Sequence, residues 1–469
     1  MFMQRVFTEG LAQTSFVLAS DETRQAVVID PRRDVEVYCE IAAAHDLTIA
    51  HIYETHIHAD YASGARELAA RTGATMHLSA IGESEFEHQP VNDGDVLELG
   101  ELRFEVLLTP GHTPEHICIL VSDFARPNDP PTLFSGDALF VGSVGRPDLL
   151  GEEQTRTLAT ALYHTIHNKL MALDDDIIVY PGHGAGSACG KAIGNDPSTT
   201  MGQEKRFNFA FQPATEEQFV TMIVDGLPDP PPYFPVMKQL NKRGPAILGG
   251  IPTPDAVDFD TLRAIQQDGT TTLLDVRAAE CFGDGFLAGS LNIGLGPSLP
   301  NWAGWSVSYE QPIVLVVDDA ADVEEAVTWL IRIGLDNVIG YTVADPDAWR
   351  DAGLTVETIT QIDPGTANAR LVAGELQLLD VRNADEWDGG HVSGAHNIPV
   401  GPLVRGADGL DRNRPVAVMC AAGYRSSLGA SALKQRGYDN VINVVGGMDA
   451  WRAAGWTYRA LGRRDPTSV

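Results

Sequence analysis

The chain has 469 residues, 44% hydrophobic and 21% charged, with 33 Lys and Arg against 64 Asp and Glu for a formal net charge of −31. That length predicts about three domains, and no apolar run approaches the roughly 20 residues of a membrane-spanning helix. So negative a field repels nucleic-acid phosphates and anionic lipid headgroups, so neither nucleic acid nor membrane is an expected partner.

The N-terminus carries Glu9 and Gln13 where a secretory leader is uniformly apolar, and reads as mature sequence. Residues 1 to about 225 alternate short β-rich runs, such as Ala26-Val-Val-Ile-Asp30 and Ile177-Ile-Val-Tyr180, with helical stretches such as Glu152 to Lys169. Four segments in this region place polar side chains at predicted strand ends: Thr55-His-Ile-His-Ala-Asp-Tyr61, Thr109-Pro-Gly-His112, Phe134-Ser-Gly-Asp137 and Tyr180-Pro-Gly-His183. One histidine alone would be an ordinary surface or core residue. Four such segments converging on one rim predict a metal site instead.

The proline-dense segment Leu227-Pro-Asp-Pro-Pro-Pro-Tyr-Phe-Pro235 stops helix and central strand alike and marks a connector. Beyond it the chain repeats. Leu273-Leu-Asp-Val-Arg277 returns as Leu378-Leu-Asp-Val-Arg382, and Gly289-Ser-Leu-Asn-Ile293 as Gly394-Ala-His-Asn-Ile398. Asp347-Ala-Trp-Arg350 returns as Asp449-Ala-Trp-Arg452. Two copies of one α/β domain with a parallel sheet are expected.

In the second copy the strand-like Val416 to Met419 runs into Cys420-Ala-Ala-Gly-Tyr-Arg-Ser426, where a helical pattern starts. Loop N–H groups, the helix dipole and Arg425 favour a thiolate at Cys420, and Gly423, Arg425 and Ser426 would cradle an anionic sulfur substrate. An ungapped alignment from Pro312 against Pro415 sets Val317 opposite Cys420 and Asp322 opposite Arg425, so the first copy lacks both nucleophile and cradle charge. The five cysteines, Cys39, Cys118, Cys189, Cys281 and Cys420, form no C-x-x-C pair, which fits a reducing cytoplasm. Cys39, Cys118 and Cys281 read as packing.

The histidine-rich segments resemble the metallo-β-lactamase fold superfamily over residues 1 to about 215, which implies an αββα fold. Gly145-Arg-Pro-Asp-Leu149 and Glu204-Lys-Arg-Phe-Asn208 are similar to the persulfide dioxygenase branch, which uses one iron. Tyr61 stands where dinuclear zinc members carry histidine. Carried over residue by residue, the ligands would be His56, His112 and Asp137, a 2-His-1-carboxylate face suited to one Fe(II) per chain. His58, Asp60, Tyr61 and His183 would surround them, and Arg146 would either contact the carboxylate or phosphate of a thiol substrate or form a salt bridge with an acidic neighbour. Arg206 and Asn208 are weaker candidates.

The Cys420 loop, with Glu386-Trp387 and Gly390-His391, resembles the rhodaneses, in which Asp380 and Arg382 match a structural pair. The expected architecture is therefore α/β multidomain. Residues 1–240 form a metallo-β-lactamase fold domain with extension and linker, 256–355 an inactive rhodanese-homology domain, and 364–462 a catalytic rhodanese domain. The order resembles the persulfide dioxygenase-sulfurtransferase fusions. That implies a low-molecular-weight thiol persulfide, dioxygen and sulfite or thiosulfate as reaction partners, in a cytoplasmic enzyme whose oligomeric state stays open. The alternative is a zinc thioesterase of glyoxalase II type fused to a rhodanese.

Overall fold

In the computed structural model, the residues described are 1–213, 215–407, 409–456 and 458. The last stretch of the expected catalytic domain, 459–462, lies outside them. The chain divides into two compact units, the first comprising Met1–Ile251 with Ile331–Gly334 and the second beginning at Pro252.

The first unit holds two six-stranded sheets. One runs in chain order through β1 (Phe2–Thr8), β2 (Gln13–Ala19), β3 (Gln25–Ile29), β4 (Thr48–Tyr53), β5 (Thr75–Ser79) and β6 (Gln89–Val91). The other contains β7 (Val96–Leu99), β8 (Leu102–Leu108), β9 (Ile117–Asp123), β10 (Thr132–Gly136), β11 (Ile178–Pro181) and β12 (Thr199–Thr200), likewise in sequential order. Alternation along each strand creates the layers. Phe16, Leu18, Val27 and Ile29 from the first sheet meet Phe104, Ile117, Ile119 and Phe134 from the second in one buried cluster. Val17, Val28 and Ile52 face away, onto α1 (Glu36–Ala44) and α2 (Ala65–Thr72). On the other outer face Leu133 and Val179 pack with α3 (Glu152–His164), α4 (Met201–Phe207) and α5 (Glu216–Val224). Each fully buried Leu, Ile or Phe contributes about 1.5–3 kcal/mol, and the result is the αββα sandwich.

The helical run expected from Glu152 to Lys169 is α3 followed by a wider π turn over Thr165–Lys169. Thr165 Oγ1 donates to Pro110 O at 2.7 Å, seating that turn on the loop before His112. A further helix, α6 (Phe234–Arg243), follows the proline-rich connector.

The second unit contains the repeat. Its first copy has β13 (Thr272–Asp275), β15 (Leu291–Asn292), β16 (Ile313–Val317) and β17 (Val338–Val343) in the order β15-β13-β16-β17, with β14 (Phe286–Leu287) and β18 (Val356–Glu357) as a separate pair. Its second has β19 (Thr360–Ile362), β20 (Gln377–Asp380), β21 (His396–Asn397), β22 (Val416–Met419) and β23 (Val441–Val444) in the order β19-β23-β22-β20-β21. All pairings in the four-stranded and five-stranded sheets are parallel, whereas β14 and β18 pair antiparallel. Asp275 faces Val316 in one copy and Asp380 faces Met419 in the other, so the next residues, Val317 and Cys420, are equivalent. Asp275–Arg277 and Asp380–Arg382 form the same buried pair, closing at 2.7 Å in each.

Candidate metal centre and cysteine loop

The metal candidates sit where strands of the two sheets end. His56 follows β4, His112 precedes β9, Asp137 follows β10 and His183 follows β11. Gly136 allows the last turn of β10: its φ is +49°, and a Cβ there would lie 2.7 Å from Thr55 Oγ1 and His116 Nε2.

His56, His112 and Asp137 are buried and offer ligand atoms within 4.8 Å of one another. Asp137 Oδ2 lies 3.4 Å from His112 Nε2 and 3.9 Å from His56 Nε2. All three atoms are buried without a hydrogen-bond partner. Three polar atoms so placed carry a large desolvation cost unless a shared group satisfies them, which is what a metal ion does. The tautomer agrees. His112 Nδ1 donates to Arg146 O at 2.9 Å, which leaves the Nε2 lone pair free. Burial, with His58 acting on His56 and His116 on His112, holds both imidazoles well below the usual histidine range, hence neutral. Two imidazoles and one carboxylate fit iron or zinc as donors.

The other histidines are tied elsewhere. His58 Nε2 lies 3.2 Å from Asp30 Oδ1, 3.0 Å from Glu54 Oε2 and 2.9 Å from the Tyr61 hydroxyl. Burial alone would discharge it, but Asp30 and Glu54 raise it well above the usual range, into the imidazolium form. His183 lies between two carboxylates, with Nδ1 2.7 Å from Asp137 Oδ1 and Nε2 2.7 Å from Asp60 Oδ2. Against burial, these raise it to about 10. Tyr61 is buried, and its hydroxyl serves His58 and Asp30 O rather than the His56–His112–Asp137 cluster.

Arg146 takes the salt-bridge alternative rather than the substrate-contact one. Its guanidinium pairs with Asp148 at 2.6 and 2.7 Å and donates to Pro228 O and Ala188 O, and the side chain is 2% exposed. The neighbouring carboxylate and two carbonyls take four of its five N–H donors, so the side chain is committed within the fold. Asn208 is likewise structural, donating to Ser143 O and Glu204 Oε2. Arg206 is solvated, 3.8 Å from Asp175.

In the second unit Cys420 directly follows β22 and is buried. Gly423 N–H donates to Cys420 Sγ at 3.1 Å, and the Ser426 hydroxyl lies 3.7 Å from the same sulfur while donating to Gly423 O. Gly423 has φ +113°, a conformation that presents its N–H inward and that a side chain would resist. The helix Tyr424–Gln435 begins at once, so its dipole also favours anionic sulfur. Arg425 forms a bidentate pair with Glu386, at 2.6 and 2.8 Å, and is not an open cation. A cavity of about 380 Å³ adjoins this loop, lined by Gly423, Tyr424 and Ser427 from one copy and Glu280, Asp318 and Asp322 from the other.

Several residues at these sites carry no sequence signal of their own. Asp30 accepts from Thr55 N at 2.7 Å and Thr55 Oγ1 at 2.8 Å, holding the histidine loop across 25 residues. His116 Nε2 accepts from Asp137 N–H at 2.9 Å, and burial lowers it to about 3. Cys189 groups with Asp60 and His183, and burial together with Asp60 and Asp137 pushes its thiol well above the usual range. Only its place among five scattered cysteines was visible in the sequence. Cys281, expected to pack, is exposed because its short helix Ala279–Asp284 turns that position outward, whereas Cys118 is buried and pushed up to about 12 by burial.

Comparison with known proteins places this geometry in a family. The metallo-beta-lactamase superfamily model matches residues 8–183, and the rhodanese-like domain model matches 363–454. A hydroxyacylglutathione hydrolase of Polaromonas sp. is 31% identical over 257 residues, 49% of this chain and 93% of that protein. The mitochondrial persulfide dioxygenase ETHE1 of Bos taurus is 28% identical over 189 residues, 39% of this chain and 68% of that protein. A solved structure titled metallo-beta-lactamase from Staphylococcus aureus is similar with TM-score 0.65 and 34% identity, covering 73% of this chain and 99% of that one. The chain belongs to the metallo-β-lactamase superfamily and carries a C-terminal rhodanese-like domain, an arrangement consistent with a persulfide dioxygenase-rhodanese fusion. Among the described residues no helix is long and apolar enough to cross a membrane.

Proposed function

We propose that the chain oxidises a low-molecular-weight thiol persulfide with dioxygen at one Fe(II) held by His56, His112 and Asp137, and transfers sulfane sulfur at Cys420. The observation that carries this reading is the trio of buried, unpartnered atoms His56 Nε2, His112 Nε2 and Asp137 Oδ2. A 2-His-1-carboxylate face leaves coordination positions for substrate and oxygen. Engagement of His58 and Tyr61 by Asp30 and Glu54 leaves fewer donors for a second metal, which favours a mononuclear site.

When bound, iron supplies the redox chemistry joining dioxygen to sulfur. The balance is RSS⁻ + O₂ + H₂O → RSH + SO₃²⁻ + H⁺. The chain's own residues orient the ligands: Arg146 O fixes the His112 ring, His116 anchors the Asp137 backbone, and His183 holds the other carboxylate oxygen of Asp137. At the second site the Cys420 thiolate accepts sulfane sulfur, with Gly423 N–H and the helix N-terminus stabilising anionic sulfur. Attack by sulfite on the outer sulfur of the cysteine persulfide releases thiosulfate and regenerates the thiolate. The reverse direction would feed persulfide to the metal site.

The second reading is a zinc thioesterase, favoured by the 31% identity to a hydroxyacylglutathione hydrolase along nearly its whole length. The test is metal content and oxygen uptake of anaerobically iron-loaded protein given a thiol persulfide. About one iron per chain, with uptake and sulfite release lost in His112→Ala and kept in Cys420→Ser, supports the dioxygenase. Two zinc ions, no oxygen uptake and thioester hydrolysis would replace it.

A further inference from the structure

Both copies of the repeat wall the cavity of about 380 Å³ beside the Cys420 loop, a volume that suits a small molecule. Two hydrogen bonds join the copies through residues of that wall. The Tyr424 hydroxyl donates to Gly294 O at 2.6 Å, and the Ser427 hydroxyl donates to Asn292 Oδ1. Gly423 belongs to the same wall, and its N–H reaches the Cys420 sulfur at 3.1 Å. A molecule lodged in the cavity is thus one residue away from the reacting atom.

The first copy gives this cavity acid without base. Asp318 directly follows β16, Asp322 opens the helix Asp322–Ile331, and Glu280 lies on the short helix Ala279–Asp284. None of the three pairs with a cation among the described residues. The two nearby arginines are already matched, Arg277 by Asp275 at 2.7 Å and Arg425 by Glu386. Carboxylates alone would be a solvated face, and Glu280 and Asp318 are indeed exposed. Asn443, on β23, points to a ligand instead. It lines the cavity, is 3% exposed, and its Oδ1 is buried without a hydrogen-bond partner. The orientation of that amide is set by its neighbour: Gln361 Nε2 donates to Ala279 O at 3.4 Å, so Gln361 Oε1 accepts from Asn443 Nδ2 at 2.7 Å. The nitrogen end is thereby taken, and the carbonyl end is left for the cavity. A buried acceptor without a donor carries a desolvation cost that an N–H entering the cavity would remove. Acceptors and uncompensated carboxylates together select a cationic donor.

We infer that the cavity holds the ammonium group of a low-molecular-weight thiol that takes sulfane sulfur from Cys420. Asn443 Oδ1 accepts from the ammonium, and Glu280, Asp318 and Asp322 supply the opposing charge. This rests on the sulfur-transfer reading of Cys420 and names the class of its acceptor. The acceptor thiolate attacks the outer sulfur of the cysteine persulfide. A new S–S bond forms as the old one breaks, and the electron pair of the broken bond returns to Cys420 Sγ: Cys–S–SH + RS⁻ → Cys–S⁻ + RSSH. The product is a thiol persulfide, the substrate class proposed for the metal site. The copy that lacks a nucleophile becomes the specificity wall of the copy that has one.

Single-turnover transfer tests this. Cys420 in the native chain is loaded with sulfane sulfur from thiosulfate, verified by peptide mass, and chased with cysteamine, 2-mercaptoethanol or 3-mercaptopropionate. These thiols are similar in size and carry positive, no and negative charge, and rates are referred to thiolate concentration. Cysteamine should react about tenfold faster than 2-mercaptoethanol and 3-mercaptopropionate slower than either, with the gaps narrowing as salt rises. The combined Glu280→Gln, Asp318→Asn, Asp322→Asn variant, and Asn443→Leu separately, should each bring the cysteamine advantage down to about twofold or less. Asp318→Asn alone, at an exposed position that does not threaten folding, should lower it to about fivefold, and circular dichroism checks that each variant is folded. Equal rates for cysteamine and 2-mercaptoethanol in the loaded native chain would overturn the inference and leave sulfur transfer at Cys420 standing. An undiminished advantage in the triple variant or in Asn443→Leu would overturn it as well. Failure of Cys420 to load at all would sink the transfer reading, and this inference with it.

Discussion

Arg425 and Glu386 form a bidentate ion pair at 2.6 and 2.8 Å, so the cation beside Cys420 is already matched by a carboxylate. The hydrogen bond to Arg425 lowers the Glu386 carboxyl below its ordinary range and raises the guanidinium correspondingly. Removing that carboxylate charge leaves a net positive group near the sulfur. Glu386→Gln should therefore speed iodoacetamide alkylation of Cys420 about threefold near neutral pH, since thiolate is the reacting form, while thiosulfate:cyanide transfer falls as Arg425 loses its fixed orientation. Unchanged alkylation with unchanged transfer would show that the pair has no part at the loop.

The register equivalence of Val317 with Cys420 makes a restoration test possible. In a Cys420→Ser background, Val317→Cys should yield no measurable thiosulfate:cyanide activity, because Asp322 stands where Arg425 does and opposes an anionic sulfur. Adding Asp322→Arg gives the comparison. Activity from Val317→Cys alone would mean that the loop charge is irrelevant.

His183 links stability to pH in the metal-free chain. Its folded value of about 10 lies above the ordinary histidine value near 6.5 because Asp137 and Asp60 outweigh burial. The native state thus holds a proton that the unfolded chain has lost between these pH values. This contribution is complete below about 6.5 and disappears as pH rises through about 10. Urea unfolding of metal-free protein should show falling stability over that window, and Asp60→Asn should flatten the decline. A pH-independent midpoint would contradict the charged triad.

Asp30 has an equally specific expectation. Asp30→Asn breaks a carboxylate that accepts from Thr55 N and Oγ1 and faces the His58 imidazolium. Leaving buried polar and charged groups short of a partner costs about 2–4 kcal/mol. Denaturant unfolding should register that loss, and metal affinity should fall with it because His56 follows Thr55 directly.

Thiol mapping separates the cysteines. In the folded chain Cys281 is exposed and should react with maleimide first, whereas Cys118 and Cys189 are buried with raised thiols and should stay unmodified until the chain unfolds. Peptide mass spectrometry after a timed pulse reads this directly.

The sequence by itself determined the features written into short segments: the strand-end histidines and Asp137, the repeated Leu-Leu-Asp-Val-Arg, and Cys420 against its helix. Such motifs are legible because a turn after a strand and the residue it presents are encoded by neighbours in the chain. Only the tertiary structure decided which of their atoms are free. Nothing local to His58 says that its ring is claimed by Asp30, 28 residues away, and nothing local to Arg146 reveals Pro228 O. Cys189 joins Asp60 and His183 from a distant segment for the same reason. Charge matching and desolvation are settled by whatever packing brings together, so a charged side chain's role depends on partners that its own segment does not contain.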